Sequence, residues 1–373
     1  MGPGEMFVIQ KGDGKVRWVK DGAILGTVLD LNVNNASERG GLGIAADPNF
    51  ATNHWVYVYY SLSTKSSDTA GSSEWVDNRV ERYEWNGAAL VNVFGPLVAF
   101  PMISSGDGPN HDGGVIRFGP DGKLYGVTGD LNRGRFGGGN ERVEQNTAKA
   151  GSASVGGVFR INADGTIPAD NPFTGEADTS FHLWWSYGLR NSFGLTFDPT
   201  SGSMWDTENG PNLYDEVNLV PKGMNSGWLK IMGPDARDAK YGENNNTKFD
   251  ASDLTYLQNA TYVEPILSFK TPVGITAITF LATKRFPHDL WNDCLFGDNN
   301  NGSLYLMDMK SNRADFKLPT GLTDRVVDNS GERNRIVWGS SWNVPADAQI
   351  GADGYLYVAS LNGNKIVRVR PVT

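Results

Sequence analysis

A single histidine, His111, lies on a glycine-rich segment that could present it to a substrate. The segment runs from Gly108 to Val115 and leads into a short apolar strand pattern. Imidazole has an unperturbed pKa of about 6.5, so at neutral pH it can accept a proton from a hydroxyl group. This setting predicts a general base, although a turn histidine without a chemical role would show the same pattern.

Two later segments carry groups that could bind a ligand. Arg190 and Asn191 precede a strand pattern, and a guanidinium can bind carboxylate or quinone oxygens through two parallel hydrogen bonds. The other segment is an oxygen-rich turn, and calcium prefers about six to eight oxygen ligands, including main-chain carbonyls. An arginine paired to a structural carboxylate and a loop of solvated acids are the structural alternatives. The calcium ligands predicted on the turn are Glu208, Gly210, Pro211 and Asp215.

One acidic residue, Glu38, directly precedes a glycine-rich segment. That segment contains Gly40, Gly41 and Gly43, and glycine lets a backbone approach a ligand closely because it has no Cβ. The pattern is short and occurs in many loops. It makes Glu38 a candidate for a ligand-binding side chain.

The composition indicates the kind of scaffold that must position these residues. The chain has 373 residues with 46 glycines, 11% aromatic residues and 20% charged residues. Such a profile favours many short strands joined by tight turns. The formal net charge of -9 argues against nucleic acid or an anionic membrane as a partner. No apolar run reaches the roughly 18 residues of a membrane-spanning helix.

One sequence phrase recurs along the chain. A turn that contains aspartate with Gly, Pro or Asn is followed by a short aromatic or β-branched strand. Repetition of this kind in an all-β sequence predicts a β-propeller with one blade per repeat. The aspartates of the repeated turns are Asp47, Asp121, Asp198, Asp289 and Asp353.

The chain ends supply the last predicted blade. Hairpin turns occur at Gly12–Gly14 and at Asn362–Asn364. Pairing the N-terminal with the C-terminal strands would close the ring and cover its sheet edges. We therefore expect an all-β fold, a six-bladed β-propeller that forms a single domain over residues 1–373. Long polar loops are predicted at residues 61–78, 131–154 and 233–254.

The chain resembles the soluble glucose/sorbosone (aldose sugar) dehydrogenase family, whose members use pyrroloquinoline quinone (PQQ). The resemblance covers about residues 30–370 and rests on the segments 185–211, 111–122 and 157–173. It implies that His111 is the base that acts on the sugar and that the carbonyls of the Gly-Pro turn hold Ca²⁺. The residues that it implies for binding PQQ are Glu38, Arg190, Asn191, Thr271 and Asn300, the last at the position of a family lysine.

The chain departs from the family at residues that meet the three PQQ carboxylates. Asn300 stands where the family has that lysine, and the segment 344–347 has neither arginine of the family's Arg-x-Arg sequence. Asn209 also replaces a histidine of the calcium turn. Losing three cations opposite a trianion would weaken binding unless other residues replaced them. The candidate replacements are Lys284, Arg333 and Arg335.

Three hypotheses follow from these observations. The first is an oxidoreductase that oxidises an aldose at the anomeric carbon with PQQ and Ca²⁺ and passes electrons to an external acceptor. The second is a Ca²⁺-dependent hydrolase, such as a lactonase, on the same propeller without PQQ. The third is a non-catalytic propeller that binds ligands. Residues 1–6 contain no leader pattern, so we expect an extracellular or periplasmic protein whose signal has been removed.

Overall fold

The computed structural model describes residues 1–101, 108–133, 141–147, 150–152, 154–237 and 248–371. Two compact units are present, and each is built almost entirely of β-strands. Parts of two predicted loops, residues 134–140 and 238–247, lie outside the described residues. The expectation of a single domain stays a prediction.

The first unit comprises Met1–Tyr187 and Leu257–Asn259. Its strands are paired antiparallel in chain order within three groups, β1–β3, β4–β7 and β8–β11. Valine side chains of the first two groups, including Val16, Val56 and Val58, share one hydrophobic core. The strands are β1 (Glu5–Ile9), β2 (Lys15–Lys20), β3 (Ala23–Asp30), β4 (Gly41–Ala46), β5 (Trp55–Ser63), β6 (Trp75–Trp85), β7 (Leu90–Pro101), β8 (Ile116–Phe118), β9 (Leu124–Thr128), β10 (Gly157–Ile161) and β11 (Trp184–Tyr187).

The second unit comprises Gly188–Tyr256 and Ala260–Thr373. Its first sheet has the order β12-β13-β14-β17-β21, its second β18-β19-β20-β22 and its third β23-β24-β25, and β15 pairs with β16. Trp205, Phe269 and Phe296 lie in the core of the first two sheets. The strands are β12 (Ser192–Phe197), β13 (Met204–Glu208), β14 (Asp215–Leu219), β15 (Met224–Asn225), β16 (Thr261–Tyr262), β17 (Leu267–Phe269), β18 (Ile275–Phe280), β19 (Cys294–Asp298), β20 (Leu304–Met307), β21 (Val326–Val327), β22 (Val337–Gly339), β23 (Pro345–Ile350), β24 (Leu356–Ser360) and β25 (Lys365–Val369).

Helices are short throughout the described residues. The α-helices are α1 (Phe50–Asn53) and α2 (Ser330–Arg333), and none of the helices described is long and apolar enough to cross a membrane. The scarcity of helix agrees with the abundance of glycine and β-branched residues in the sequence. Single 3₁₀ turns occur at Val143–Gln145, Thr179–Phe181, Asp235–Arg237, Ala251–Asp253 and His288–Leu290.

The repeated aspartate turns form the same local structure in both units. Asp121 accepts a hydrogen bond from the Tyr125 hydroxyl at 2.9 Å, and Asp353 accepts one from the Tyr357 hydroxyl at 2.8 Å. In each case the residue after the aspartate is a glycine with positive φ, Gly122 in the first turn. The turn therefore fixes the start of the strand that follows it. Each of the five repeats contributes to one sheet.

The predicted closure of the ring by pairing of the chain ends is not confirmed. The N-terminal hairpin β1–β2 is extended by β3, and the C-terminal hairpin β24–β25 is extended by β23. The Asp21-Gly22 turn has φ values of 51° and 83°, and it folds β3 directly back onto β2. The structure thus has five sheets that follow the repeats and a separate N-terminal sheet. The six-bladed arrangement with a shared terminal blade is not confirmed.

Candidate active site

The first unit holds His111 in a fixed orientation. Its Nδ1 lies 2.5 Å from Oδ1 of Asp130, and both side chains are buried. Asp130 follows β9 and also accepts the main-chain N–H of Asn132 at 2.9 Å. A carboxylate at Nδ1 favours the tautomer in which that nitrogen carries the proton. Nε2 is then the ring nitrogen through which His111 would accept a proton.

The sequence analysis did not find Asp130. Nineteen residues separate it from His111, and only the turn at the end of β9 brings the two side chains together. The available signal was a Gly129-Asp130 pair directly after a fully buried strand. Such a carboxylate at a strand end is a common neighbour of a catalytic histidine.

Glu38 is in contact with the same segment. Its Oε2 accepts the main-chain N–H of His111 at 2.5 Å, and its own N–H donates to the Pro109 carbonyl at 2.9 Å. Two hydrogen bonds therefore join the Glu38 loop to the segment that carries the histidine. The role of Glu38 in binding a cofactor stays a prediction, and the structure adds a positioning role.

A buried ion pair between Arg39 and Asp112 stabilises the segment that carries His111. The guanidinium of Arg39 lies 3.5 Å from the Asp112 carboxylate and 4.0 Å from the Trp75 ring centroid, and it donates to the Gly108 carbonyl at 2.9 Å. Burial raises the pKa of Asp112 to about 6, while a hydrogen bond from Asn78 and the charge of Arg39 oppose the rise. One arginine thus contacts both flanks of the His111 segment.

The glycines near Glu38 allow segments of the backbone to approach one another closely. A Cβ on Gly40 would lie 2.0 Å from the Lys11 carbonyl oxygen, and a Cβ on Gly43 would lie 2.1 Å from the Gly114 carbonyl oxygen. Gly114 itself has φ of 106°. The close approach is therefore between segments of the protein backbone, and it sets the position of the His111 segment against β4.

In the second unit, Arg190 is held by the predicted calcium turn. Its Nη1 donates to the main-chain carbonyls of Asn209 at 2.9 Å and Gly210 at 3.2 Å. Its guanidinium lies 5.5 Å from the ring centroid of Trp228. The main-chain carbonyl of Asn191, a buried residue, accepts the Asn209 N–H at 2.7 Å. Arg190 and Asn191 therefore belong to one cluster with the turn.

Glu208 points into the protein interior. Its Oε1 accepts the Arg190 N–H at 2.6 Å and its Oε2 accepts the Ser226 hydroxyl at 2.9 Å. Burial raises its pKa well above the usual value, and the charges of Glu216 and Asp206 raise it further. These contacts make Glu208 a support for the Arg190 main chain.

Asp215 joins the turn to the segment that carries Thr271. Its Oδ1 accepts the Gly210 N–H at 2.9 Å, and its Oδ2 accepts the N–H groups of Val273 and Gly274 at 2.7 Å each. The Ile275 N–H adds a longer contact of 3.2 Å. Burial raises the pKa of Asp215, and these main-chain donors oppose the rise. The carboxylate is thus fully used in positioning two loops.

Three of the four predicted calcium ligands already accept hydrogen bonds within the protein. Within the described ranges, no group of three or more His, Cys, Asp or Glu side chains could hold a metal. The Gly210 carbonyl accepts a hydrogen bond from a cationic side chain, and the acidic residues of the turn accept main-chain donors. The predicted calcium ligand set stays a prediction. That set comprised Glu208, Gly210, Pro211 and Asp215.

Asn300 lies beside the Thr271 segment. Its main-chain N–H donates to the Val273 carbonyl at 2.9 Å and its side chain donates to the Pro272 carbonyl at 3.2 Å. Thr271 and Asn300 are both exposed. The second unit therefore brings the predicted residues Arg190, Thr271 and Asn300 into one connected cluster through Asp215.

Comparison with known proteins shows the family of the chain. The sequence profile of the Glucose / Sorbosone dehydrogenase family matches residues 1–368. The chain belongs to this family. Membership supports an oxidoreductase enzyme.

Several curated proteins are similar in sequence to this chain over more than half of its length. An uncharacterized Synechocystis protein is 29% identical over 97% of this chain and 80% of its own length. The aldose sugar dehydrogenase YliI of Escherichia coli is 26% identical over 90% of this chain and 78% of its own. Quinoprotein glucose dehydrogenase B of Acinetobacter calcoaceticus is 31% identical over 61% of this chain and 48% of its own.

Solved structures show the same fold. The soluble aldose sugar dehydrogenase of Escherichia coli in the apo form has a TM-score of 0.69 at 21% identity, covering 95% of this chain and 89% of its own. The PQQ-bound aldose sugar dehydrogenase of Streptomyces coelicolor has a TM-score of 0.60 at 22% identity, covering 96% and 86%. The fold is an all-β propeller.

Proposed function

We propose that this family member oxidises an aldose-type sugar at its anomeric carbon with PQQ as the cofactor. When bound, PQQ supplies the hydride acceptor for such an oxidation. The observation that carries the proposal is the buried His111–Asp130 pair, with 2.5 Å between Nδ1 and Oδ1. A histidine oriented in this way has the chemistry of a general base for a sugar hydroxyl.

His111 would take the proton of the anomeric hydroxyl through Nε2. Asp130 keeps the ring oriented and stabilises the positive charge that the ring gains with the proton. Glu38 holds the main chain of His111 by accepting its N–H. The base therefore needs little rearrangement before it acts, which lowers the cost of reaching the transition state.

The residues proposed to hold PQQ are polar and mostly in the second unit. A guanidinium has five N–H donors. The Nη1 of Arg190 donates to the turn carbonyls, and the other N–H groups of Arg190 suit quinone oxygens. Thr271 is exposed beside the same cluster. A buried guanidinium atom of Arg333 without a hydrogen-bond partner among the described residues supports the fit of an acidic cofactor. The residues assigned to PQQ by the proposal are Glu38, Arg190, Asn191, Thr271 and Asn300.

Calcium is left out of the proposal, because the Gly210 carbonyl accepts a hydrogen bond from Arg190, and Glu208 and Asp215 accept hydrogen bonds from main-chain N–H groups. The Ca²⁺-dependent lactonase would need the ion to polarise an ester carbonyl, and the parallel assay with lactones tests it. The buried His111–Asp130 pair favours a catalytic protein over a non-catalytic propeller, because a carboxylate that orients a histidine is a common arrangement for a base. The electron acceptor and an extracellular or periplasmic location stay predictions.

The test gives the purified protein PQQ, a panel of aldoses and an electron-accepting dye, and in parallel a panel of lactones without PQQ. We expect dye reduction that depends on both sugar and PQQ. Arg190→Ala should weaken PQQ binding and sugar oxidation together. Lactone cleavage without PQQ, alongside no sugar oxidation, would replace the dehydrogenase with a hydrolase. Inactivity on both panels would favour a ligand-binding propeller.

A further inference from the structure

Lys284, Arg333 and Arg335 are the candidate replacements for the three family cations that this chain lacks, and they lie in different surroundings. Arg335 donates to the Thr320 carbonyl at 2.9 Å. Lys284 lies 5.9 Å from the ring centroid of Trp291. Neither contact involves the Asn300 segment. The Nη1 of Arg333, in contrast, donates to Oδ1 of Asn301 at 2.8 Å.

Arg333 has unused binding capacity. Its Nε is buried and has no hydrogen-bond partner among the residues that the structure describes. Within the same residues, no carboxylate forms an ion pair with the guanidinium. Burying a charge without a counter-ion is unfavourable. A half-buried guanidinium of this kind therefore favours an anionic ligand.

Asn301 fixes where the guanidinium lies. Its N–H donates to the Asp298 carboxylate at 2.6 Å, and its side chain donates to the same carboxylate at 3.2 Å. Asp298 also accepts the Tyr305 hydroxyl, so its oxygens are already engaged. The Asn301 side chain is held firmly enough to orient Arg333.

The guanidinium is thereby connected to the cluster proposed to bind PQQ. Asn300 is the neighbour of Asn301 and donates to Pro272, one residue after Thr271. Gly274, two residues further along, is hydrogen-bonded to the Asp215 carboxylate at 2.7 Å. All of these residues lie in the second unit.

We propose that Arg333, positioned by Asn301, supplies the positive charge that Asn300 lacks and binds a carboxylate group of the ligand. The proposal rests on the proposed function. Two sources of the carboxylate have the same chemistry, PQQ itself and a sugar acid. Arginine suits the task because its planar fork matches a carboxylate bidentately.

The test measures equilibrium binding of PQQ by its absorbance and by calorimetry, without turnover. Arg333→Gln should weaken PQQ binding roughly 10–100-fold, the usual worth of a charge-assisted hydrogen bond. Arg333→Lys should recover part of the loss. Arg335→Gln is the matched control, since it removes the same charge two residues away and should leave binding unchanged. Melting temperatures verify that each variant is folded.

The outcomes separate this proposal from the proposed function. Unaltered PQQ binding in Arg333→Gln would overturn the carboxylate subsite and leave the dehydrogenase in place. Where the wild type binds no PQQ, gluconate is titrated instead. If the wild type binds gluconate and Arg333→Gln does not, the carboxylate subsite is supported and PQQ is not the cofactor. If the wild type binds neither compound, the subsite does not exist.

Discussion

The Nη1 of Arg190 lies 3.2 Å from the carbonyl oxygen of Gly210. This oxygen was predicted from the sequence to bind calcium, and in the structure it accepts a hydrogen bond from a cation instead. A divalent ion at the same oxygen would meet the positive charge of the guanidinium at close range, and that repulsion is large where solvent is excluded. Arg190 would have to turn away before a metal could bind.

Calcium should therefore leave the stability of the apoprotein unchanged. The measurement is the melting temperature in EDTA and in millimolar CaCl₂ at constant ionic strength. Ligand binding to the folded state alone would raise the melting temperature with concentration, so a flat response means no site. A calcium-dependent rise in the wild type, but not with Mg²⁺, would contradict this prediction.

His111→Ala should reduce the turnover of an active preparation about 10²–10⁴-fold, which is the usual contribution of a general base. Asp130→Asn should also reduce kcat, because an amide at Nδ1 no longer favours the tautomer with a free Nε2. The measurement is the pH profile of kcat for both variants. Cofactor affinity should change little, since neither change removes a proposed cofactor contact.

His288→Ala is the control for this pair. His288 lies at a 3₁₀ turn with its ring centroid 4.6 Å from that of Trp291. The change removes an imidazole and leaves the His111 segment intact. Equal losses in His288→Ala and His111→Ala, or full turnover in His111→Ala, would remove the general base from the proposal.

Local turn chemistry explains why much of the fold could be predicted. The aspartate turns at Asp121 and Asp353 form the hydrogen bonds that their sequences indicate. Such turns depend on a few neighbouring residues. The β2–β3 hairpin has a local signal of the same kind that was overlooked, Asp21-Gly22, an Asp-Gly pair of the type that closes a two-residue hairpin. Pairing between the two ends of the chain depends on residues far apart in sequence, so no local pattern decides it.

The candidate site could be predicted less fully for a physical reason. Residue types identified His111 and Arg190, but the hydrogen bonds that orient them come from residues distant in sequence. Asp215, for example, accepts N–H groups from Val273 and Gly274, about sixty residues further along the chain. An acidic residue in a polar turn has the same local sequence whether its carboxylate binds a metal ion or accepts hydrogen bonds from buried main-chain N–H groups.

Asp215→Asn should loosen two loops at once. The amide keeps one oxygen but places a donor where main-chain N–H groups point, and a buried unsatisfied donor costs about 1–3 kcal/mol. We expect faster hydrogen exchange at Gly210, Val273 and Gly274 and weaker PQQ binding. Asp293→Asn is the control, since Asp293, in the same unit, accepts the Met309 N–H at 3.2 Å and not an N–H group of either loop. Unchanged exchange at these three amides would contradict the positioning role of Asp215.

Asp206 should make the stability depend on pH. Burial raises its pKa to about 7 from the ordinary 3.8, while hydrogen bonds from Asn218 and Ser192 oppose the rise. Between these values the folded protein holds a proton that the unfolded chain releases. The stability from this group is therefore present below about pH 4 and is lost as the pH rises through about 7. Each unit of pKa difference corresponds to about 1.4 kcal/mol.

Asp206→Asn should flatten the decline in the free energy of unfolding between about pH 4 and pH 7. Part of the slope should remain, because burial also raises the pKa of Glu208 and of Glu216.

Asp198→Asn should have the opposite effect on the pH dependence of stability. Burial alone would raise the pKa of Asp198, but hydrogen bonds led by that from Arg313 hold it below the usual value. The stability from Asp198 is thus present at neutral pH and lost as the pH falls, so Asp198→Asn should destabilise the protein at pH 7 and cost little in acid. Urea unfolding of the wild type and both variants across this range measures the slopes. Parallel curves for the wild type and Asp206→Asn would mean that Asp206 is ionised at neutral pH and that its carboxylate has a donor or cation beyond those described.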